Sequence, residues 1–142
     1  MIEQKTICPQ LNERILTQLK LKNIETVYVR HCPNAFGLSI TQGDGFKVTY
    51  SGDTMPSPSL VKLGMDSDIL IHEATMEDDL AAEAVIKMHS TMSQAIQIGK
   101  EMNAKYTLLT HFSQRYAKIP RGCEHFDSDV GIAFDNMVVS FY

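Results

Sequence analysis

Tryptophan is missing from the 142-residue chain, and cysteine is scarce: Cys8, Cys32 and Cys123 form an odd set with no C-x-x-C pair. A disulfide framework and a cysteine-type zinc finger are therefore excluded, and reduced thiols in an intracellular protein are the simplest reading. No run of eighteen apolar residues occurs, so no transmembrane helix is readable. The opening MIEQKTICPQ lacks a basic stretch followed by an apolar core, the mark of a secretory signal. Positive charge is in deficit, with 13 Lys+Arg against 17 Asp+Glu and a net charge of -4. A global electrostatic footprint for nucleic acid is absent, so any such contact needs a local patch or a metal. The five histidines all lie fourteen or more residues apart; no His-x-His pair, no Asp-His dipeptide and no H-E-x-x-H motif is present. What remains is 44% hydrophobic and 21% charged, ordinary globular material for about one domain.

Periodicity divides the chain into short elements. Leu11, Ile15 and Leu19 recur at helical spacing and predict an amphipathic helix over 11–22. Runs at Ile24–Val29, Phe36–Thr41 and Phe46–Tyr50 predict strands, the last two joined by the hairpin signal Gln42-Gly43-Asp44-Gly45. A short helix follows from Pro58 to Gly64, then a strand from Asp68 to Ile71. Acidic residues at 77–79 precede a helix over Leu80–Met88, and Ser90 or Thr91 caps a further helix to about Met102. Strands are expected at Tyr106–Thr110 and near Met137–Phe141. The order implies an α/β (α+β) architecture with helices layered on a sheet and no internal domain boundary.

His31, Asp53, His72 and His111 each lie just past one of these apolar runs, where loops on a rigid sheet converge. Imidazoles and a carboxylate gathered at such an edge suit a zinc site, and a carboxylate is able to bridge two ions. Plainer readings stand beside this one. His31 also fits an ordinary loop, Asp53 a turn, His72-Glu73 the start of a helix, His89-Ser90-Thr91 a break and cap between helices, and His125 a surface position.

The segments Val29-Arg30-His31-Cys32, Ala35-Phe36-Gly37, Tyr50-Ser51-Gly52-Asp53-Thr54, Ile71-His72-Glu73-Ala74-Thr75, His89-Ser90-Thr91 and His111-Phe112-Ser113-Gln114-Arg115-Tyr116 occur in this order. Together they resemble tRNase Z, the endonuclease that removes the 3′ trailer of precursor tRNA, and look closest to the C-terminal part of its long eukaryotic form. The resemblance implies the C-terminal part of a metallo-β-lactamase αββα sandwich across residues 1–142, and a two-zinc hydrolysis of a phosphodiester. It implies His31 and His111 as ligands of separate zinc ions and Asp53 as their bridge. By the same resemblance His89 protonates the leaving 3′ oxygen and Glu73 holds His89. Arg115, Ser113 and Thr54 are the implied phosphate contacts, and His72 is structural. The product is a tRNA with a 3′-hydroxyl and a trailer with a 5′-phosphate.

The family's His-x-His-x-Asp-His motif is not in the chain. The sequence thus reads as a partial domain whose remaining ligands sit on a second chain or an omitted segment. A sandwich divided in this way leaves an apolar sheet face open to assembly, including as an oligomer. Two functions follow: part of the tRNA 3′-endonuclease, or an inactive half-domain acting as an assembly or interaction module. The resemblance points to the nucleus or mitochondrion and gives no membrane partner. Arg115, Lys118 and Arg121 cluster after His111, either as a local phosphate patch or as an ordinary solvated loop.

Overall fold

In a computed structural model that describes residues 9–114 and 126–139, the chain order is α1 (Pro9–Leu19), β1 (Leu21–Tyr28), β2 (Phe36–Gln42), β3 (Lys47–Tyr50), α2 (Pro58–Gly64), β4 (Ile69–Glu73), α3 (Ala81–Lys87), α4 (Met92–Glu101), β5 (Tyr106–Thr110) and β6 (Val130–Ile132). The strands form one six-stranded sheet in the order β1-β2-β3-β4-β5-β6. β1, β2 and β3 pair antiparallel, and β3 through β6 pair parallel. The helix-bearing connections after β3 and β4 are what parallel neighbours require.

Local chemistry starts and stops the helices. Ser57 caps α2 by accepting from the Leu60 amide, with Pro58 in the first turn, where its missing N–H costs nothing. Thr91 and Gln94 form a reciprocal capping box at the start of α4. α1 ends before a left-handed Lys20 with φ 54°, and β1 begins at the next residue, so the helix expected to residue 22 is three residues too long. A single 3₁₀ turn at Asp78–Leu80 leads into α3.

Strand alternation sorts the sheet into two faces. Ser39, Thr49, Leu70 and Thr107 lie in register and are buried on the side that packs on α2 and α4. Leu60, Leu70, Ile98, Met102 and Val29 form the core there, and Ala74, Met92, Ala95 and Leu109 a second cluster. The close fit of α4 depends on Gly99, where an added β-carbon would lie 2.1 Å from Thr107 Oγ1. The opposite face carries the register rows Leu38–Tyr50–Ile71–Leu108 and Tyr28–Phe36. Its aromatic rings are open to solvent, with Tyr28 50%, Phe36 42% and Tyr50 43% exposed.

Two strand expectations need correction. Met137–Val139 form no strand; these residues lie exposed, and residues 140–142 are outside the described residues. Among the described residues the last strand is instead β6, whose Val130 and Gly131 pair with Thr107 and Leu108. β4 runs on to Glu73, so His72-Glu73 is strand and not the beginning of a helix.

Candidate active site

β1 and β3 both oppose β2, and β4, β5 and β6 run with β3, so five strands end on one edge of the sheet. Ligands of open parallel sheets gather at such carboxyl ends. His31 follows β1, Asp53 follows β3, Glu73 ends β4 and His111 follows β5. His89 comes from the break between α3 and α4.

Asp53 sits after a tight turn at Gly52, whose φ is 59° and where a β-carbon would stand 2.7 Å from the Phe36 carbonyl oxygen. Its carboxylate faces two histidines with different oxygens: Oδ2 lies 3.9 Å from His31 Nε2, and Oδ1 lies 3.6 Å from His111 Nε2. Both gaps are too long for hydrogen bonds. Two donors at zinc distances on one tetrahedral ion stand about 3.3–3.6 Å apart, so the donor set and its spacing suit two ions flanking one carboxylate. The His89 ring lies between the others, with centroids 4.7 Å from His31 and 5.6 Å from His111.

Each flanking histidine is held through its other nitrogen. His31 Nδ1 donates to the Met88 carbonyl at 3.0 Å. His111 Nδ1 lies 2.9 Å from Thr75 Oγ1. Such outer partners fix ring orientation and tautomer at metal sites.

Glu73 is buried, 1% exposed, and both its oxygens accept. Oε1 receives the Thr54 amide at 2.8 Å and His89 Nδ1 at 2.7 Å. Oε2 receives the Thr75 amide at 3.1 Å, the Thr75 hydroxyl at 2.7 Å and the Ser90 amide at 3.1 Å. Ligand atoms of Glu73, His89 and His111 lie within 4.8 Å of one another, as do those of His31, Asp53 and His89. The full acceptor load on Glu73 makes the first group a hydrogen-bonded network, whereas Asp53 retains open oxygens.

His72, expected as structural, is fully buried. Its Nδ1 donates to the Glu73 carbonyl at 2.7 Å, and among the described residues its Nε2 is the one buried side-chain polar atom without a partner. Burial holds its pKa below the ordinary histidine value, against the weaker opposing pull of the Glu73 carbonyl and carboxylate.

The structure brings His31, Asp53, Glu73, His89 and His111 together. Thr54 lies beneath the site and not at its surface: it is fully buried, accepts from the Arg30 amide and donates to the Met55 carbonyl, so its hydroxyl is not open to a phosphate. Ser113 is half-buried and tied through its amide to the Thr75 carbonyl. Arg115, Lys118, Arg121 and His125 lie outside the described residues. Thr75 and Met88 were not singled out by role in the sequence. Their partners are 36 and 57 positions away, which no local pattern reveals.

Comparison with known proteins identifies the family of the chain. Residues 14–112 match the family model described as the beta-lactamase superfamily domain. The chain is 58% identical over 129 residues to "Ribonuclease Z, mitochondrial" of Drosophila melanogaster, covering 87% of this chain and 17% of that protein. It is 52% identical over 133 residues to "Zinc phosphodiesterase ELAC protein 2" of Homo sapiens, covering 91% of this chain and 16% of the relative. The crystal structure of a long form RNase Z from yeast superposes with a TM-score of 0.80 at 39% identity, over 89% of this chain and 18% of that one. The chain thus spans about a sixth of the length of the relatives it matches. A shared fold, a family match over residues 14–112 and ribonuclease Z relatives lead to one assignment: the chain belongs to the beta-lactamase superfamily, on its metallo-β-lactamase side, with ribonuclease Z proteins among its relatives.

Proposed function

We propose that this chain carries the C-terminal part of the active site of a zinc-dependent tRNA 3′-processing endoribonuclease. The observation that carries the reading is Asp53, whose two oxygens face His31 and His111 separately, beside a His89–Glu73 pair. His31 would hold one zinc ion, His111 the other, and Asp53 both. When bound, the ions supply Lewis-acid polarisation of phosphoryl oxygens and lower the pKa of water. The chain offers each ion one histidine and a shared carboxylate, short of the three protein ligands usual for catalytic zinc. The remaining ligands belong to an omitted segment or a second chain with the His-x-His-x-Asp-His motif, and the chain by itself is inactive.

The residues present divide the rest of the chemistry. In hydrolysis the oxygen of water bonds to phosphorus and the bond to the tRNA 3′ oxygen breaks. His89 donates a proton to that departing oxygen. Its Nδ1 is committed to Glu73 Oε1 at 2.7 Å, which leaves Nε2 for the substrate, and the carboxylate fixes the ring's orientation. Ser113 and Arg115 lie in sequence beyond His111, where the phosphate would arrive. A mitochondrial site of action is supported by the printed name of the Drosophila relative.

The test pairs zinc analysis with cleavage of a precursor tRNA, using the chain alone and the chain joined to a segment carrying His-x-His-x-Asp-His. Cleavage by the joined form only, with zinc lost on Asp53→Ala, is the expected result. A joined form that cleaves with undiminished zinc after Asp53→Ala would overturn the ligand assignment. Cleavage by the chain alone would overturn the division of labour.

A further inference from the structure

We propose that Thr75 is a positioning residue, whose one hydroxyl links Glu73 to His111 and fixes His111 with its proton on Nδ1 and its Nε2 lone pair free for a metal. The inference rests on the reading of His111 as a metal ligand.

The argument is one of proton counting. A threonine hydroxyl has one proton to give and lone pairs to accept with. Thr75 Oγ1 lies 2.7 Å from Glu73 Oε2 and 2.9 Å from His111 Nδ1. The carboxylate oxygen has no proton of its own to offer, so the hydroxyl donates to it. Towards His111 the hydroxyl is then left only to accept. His111 Nδ1 carries the hydrogen, and Nε2, the nitrogen 3.6 Å from Asp53 Oδ1, is the unprotonated one. Thr75 Oγ1 also lies 3.3 Å from His89 Nδ1, but that nitrogen has a nearer acceptor in Glu73 Oε1 at 2.7 Å.

Thr75 is itself held at two backbone points and is buried. Its amide donates to Glu73 Oε2 at 3.1 Å, its carbonyl accepts from the Ser113 amide at 3.1 Å, and the residue is 7% exposed. The ring it steers belongs to a residue in the left-handed region, His111 at φ 61°. A single buried carboxylate thereby sets two tautomers: that of His89 directly, and that of His111 through one hydroxyl. The acid partner and the metal ligand are orientated from the same point.

The experiment is ¹⁵N imidazole NMR of the 142-residue chain, without metal or RNA, at a pH where the histidines are neutral. Wild type and Thr75→Ser are expected to give the Nδ1–H form at His111. Thr75→Val, nearly equal in shape, is expected to give mixed tautomers with the backbone spectrum otherwise retained. In the joined, cleavage-competent form its zinc affinity should fall about 10–100-fold, and Thr75→Ser should restore it. An Nε2–H form at His111 in the wild type overturns the proposal, whatever the fate of the variants. So does a folded Thr75→Val with unchanged tautomer and zinc affinity. Because the tautomer is read without RNA, this failure is distinct from a failure of tRNA cleavage.

Discussion

His31 gives its Nδ1 proton to the carbonyl of Met88, 3.0 Å away and 57 positions along the chain. Met88 closes α3 in the left-handed conformation, φ 57°, with its own amide bonded to Ala84 and Val85 carbonyls. The next residue is His89. One helix end therefore sets the ring of a candidate ligand and launches the candidate acid. The contact uses the backbone of Met88, and its side chain is 40% exposed.

Met88→Gly should therefore stabilise the fold by up to about 1 kcal/mol, since glycine adopts this conformation without a β-carbon clash. The His31 contact should survive. Urea unfolding checks the first statement through a raised midpoint at constant slope, and zinc content of the joined form checks the second.

Glu73 and His89 should separate stability from chemistry. His89→Ala should lower single-turnover cleavage by the joined form about 10²–10⁴-fold while zinc content holds. Glu73→Gln should lower cleavage too, and also cost the fold about 1–3 kcal/mol, because an amide turns donors towards groups that are already donors. A Glu73→Gln protein of wild-type stability would show that the five contacts around this carboxylate bear little weight.

His72 predicts an acid weakness. Its folded-state pKa is depressed by burial, so the unfolded chain takes up a proton first as pH falls. Stability should drop as pH goes below about 6.5, the unfolded value, and keep dropping until the folded-state pKa is passed. His72→Leu should be less stable at neutral pH, having left the Glu73 carbonyl without its donor, but should lose less on acidification. Unfolding midpoints at several pH values between 7.5 and 5 test this; parallel curves for the two proteins would contradict it.

Gly99→Ala should separate α4 from the sheet. The new methyl group meets Thr107 Oγ1 at 2.1 Å, and overpacking of this kind costs about 1–3 kcal/mol. The paired change Gly99→Ala with Thr107→Ala should recover part of the loss, measurable as coupling in a double-mutant cycle.

Much of this was readable before the fold was known. The Thr91 capping signal, Pro58 at the head of α2 and the Asp-Gly hairpin are local features, and local features survive folding. The residues placed after strands, His31, Asp53 and His111, were legible because a strand end fixes a residue's neighbourhood. What escaped was non-local. Met137-Val138-Val139 has the composition of a strand but no pairing among the described residues, while Val130-Gly131-Ile132 has a weak composition and a partner in β5. The stop of α1 at Lys20 carries no glycine to announce it. Thr75 and Met88 look like an ordinary threonine and an ordinary methionine until their distant partners are known.

The sheet's spatial order is identical to its order along the chain. During synthesis each emerging strand therefore finds its neighbour already made, and the edge that carries the candidate site is laid down from one side to the other. His31 is in place first, Asp53 and Glu73 next, then His89, and His111 last. Until β5 has docked, Asp53 Oδ1 lacks the His111 ring that stands beside it in the finished fold.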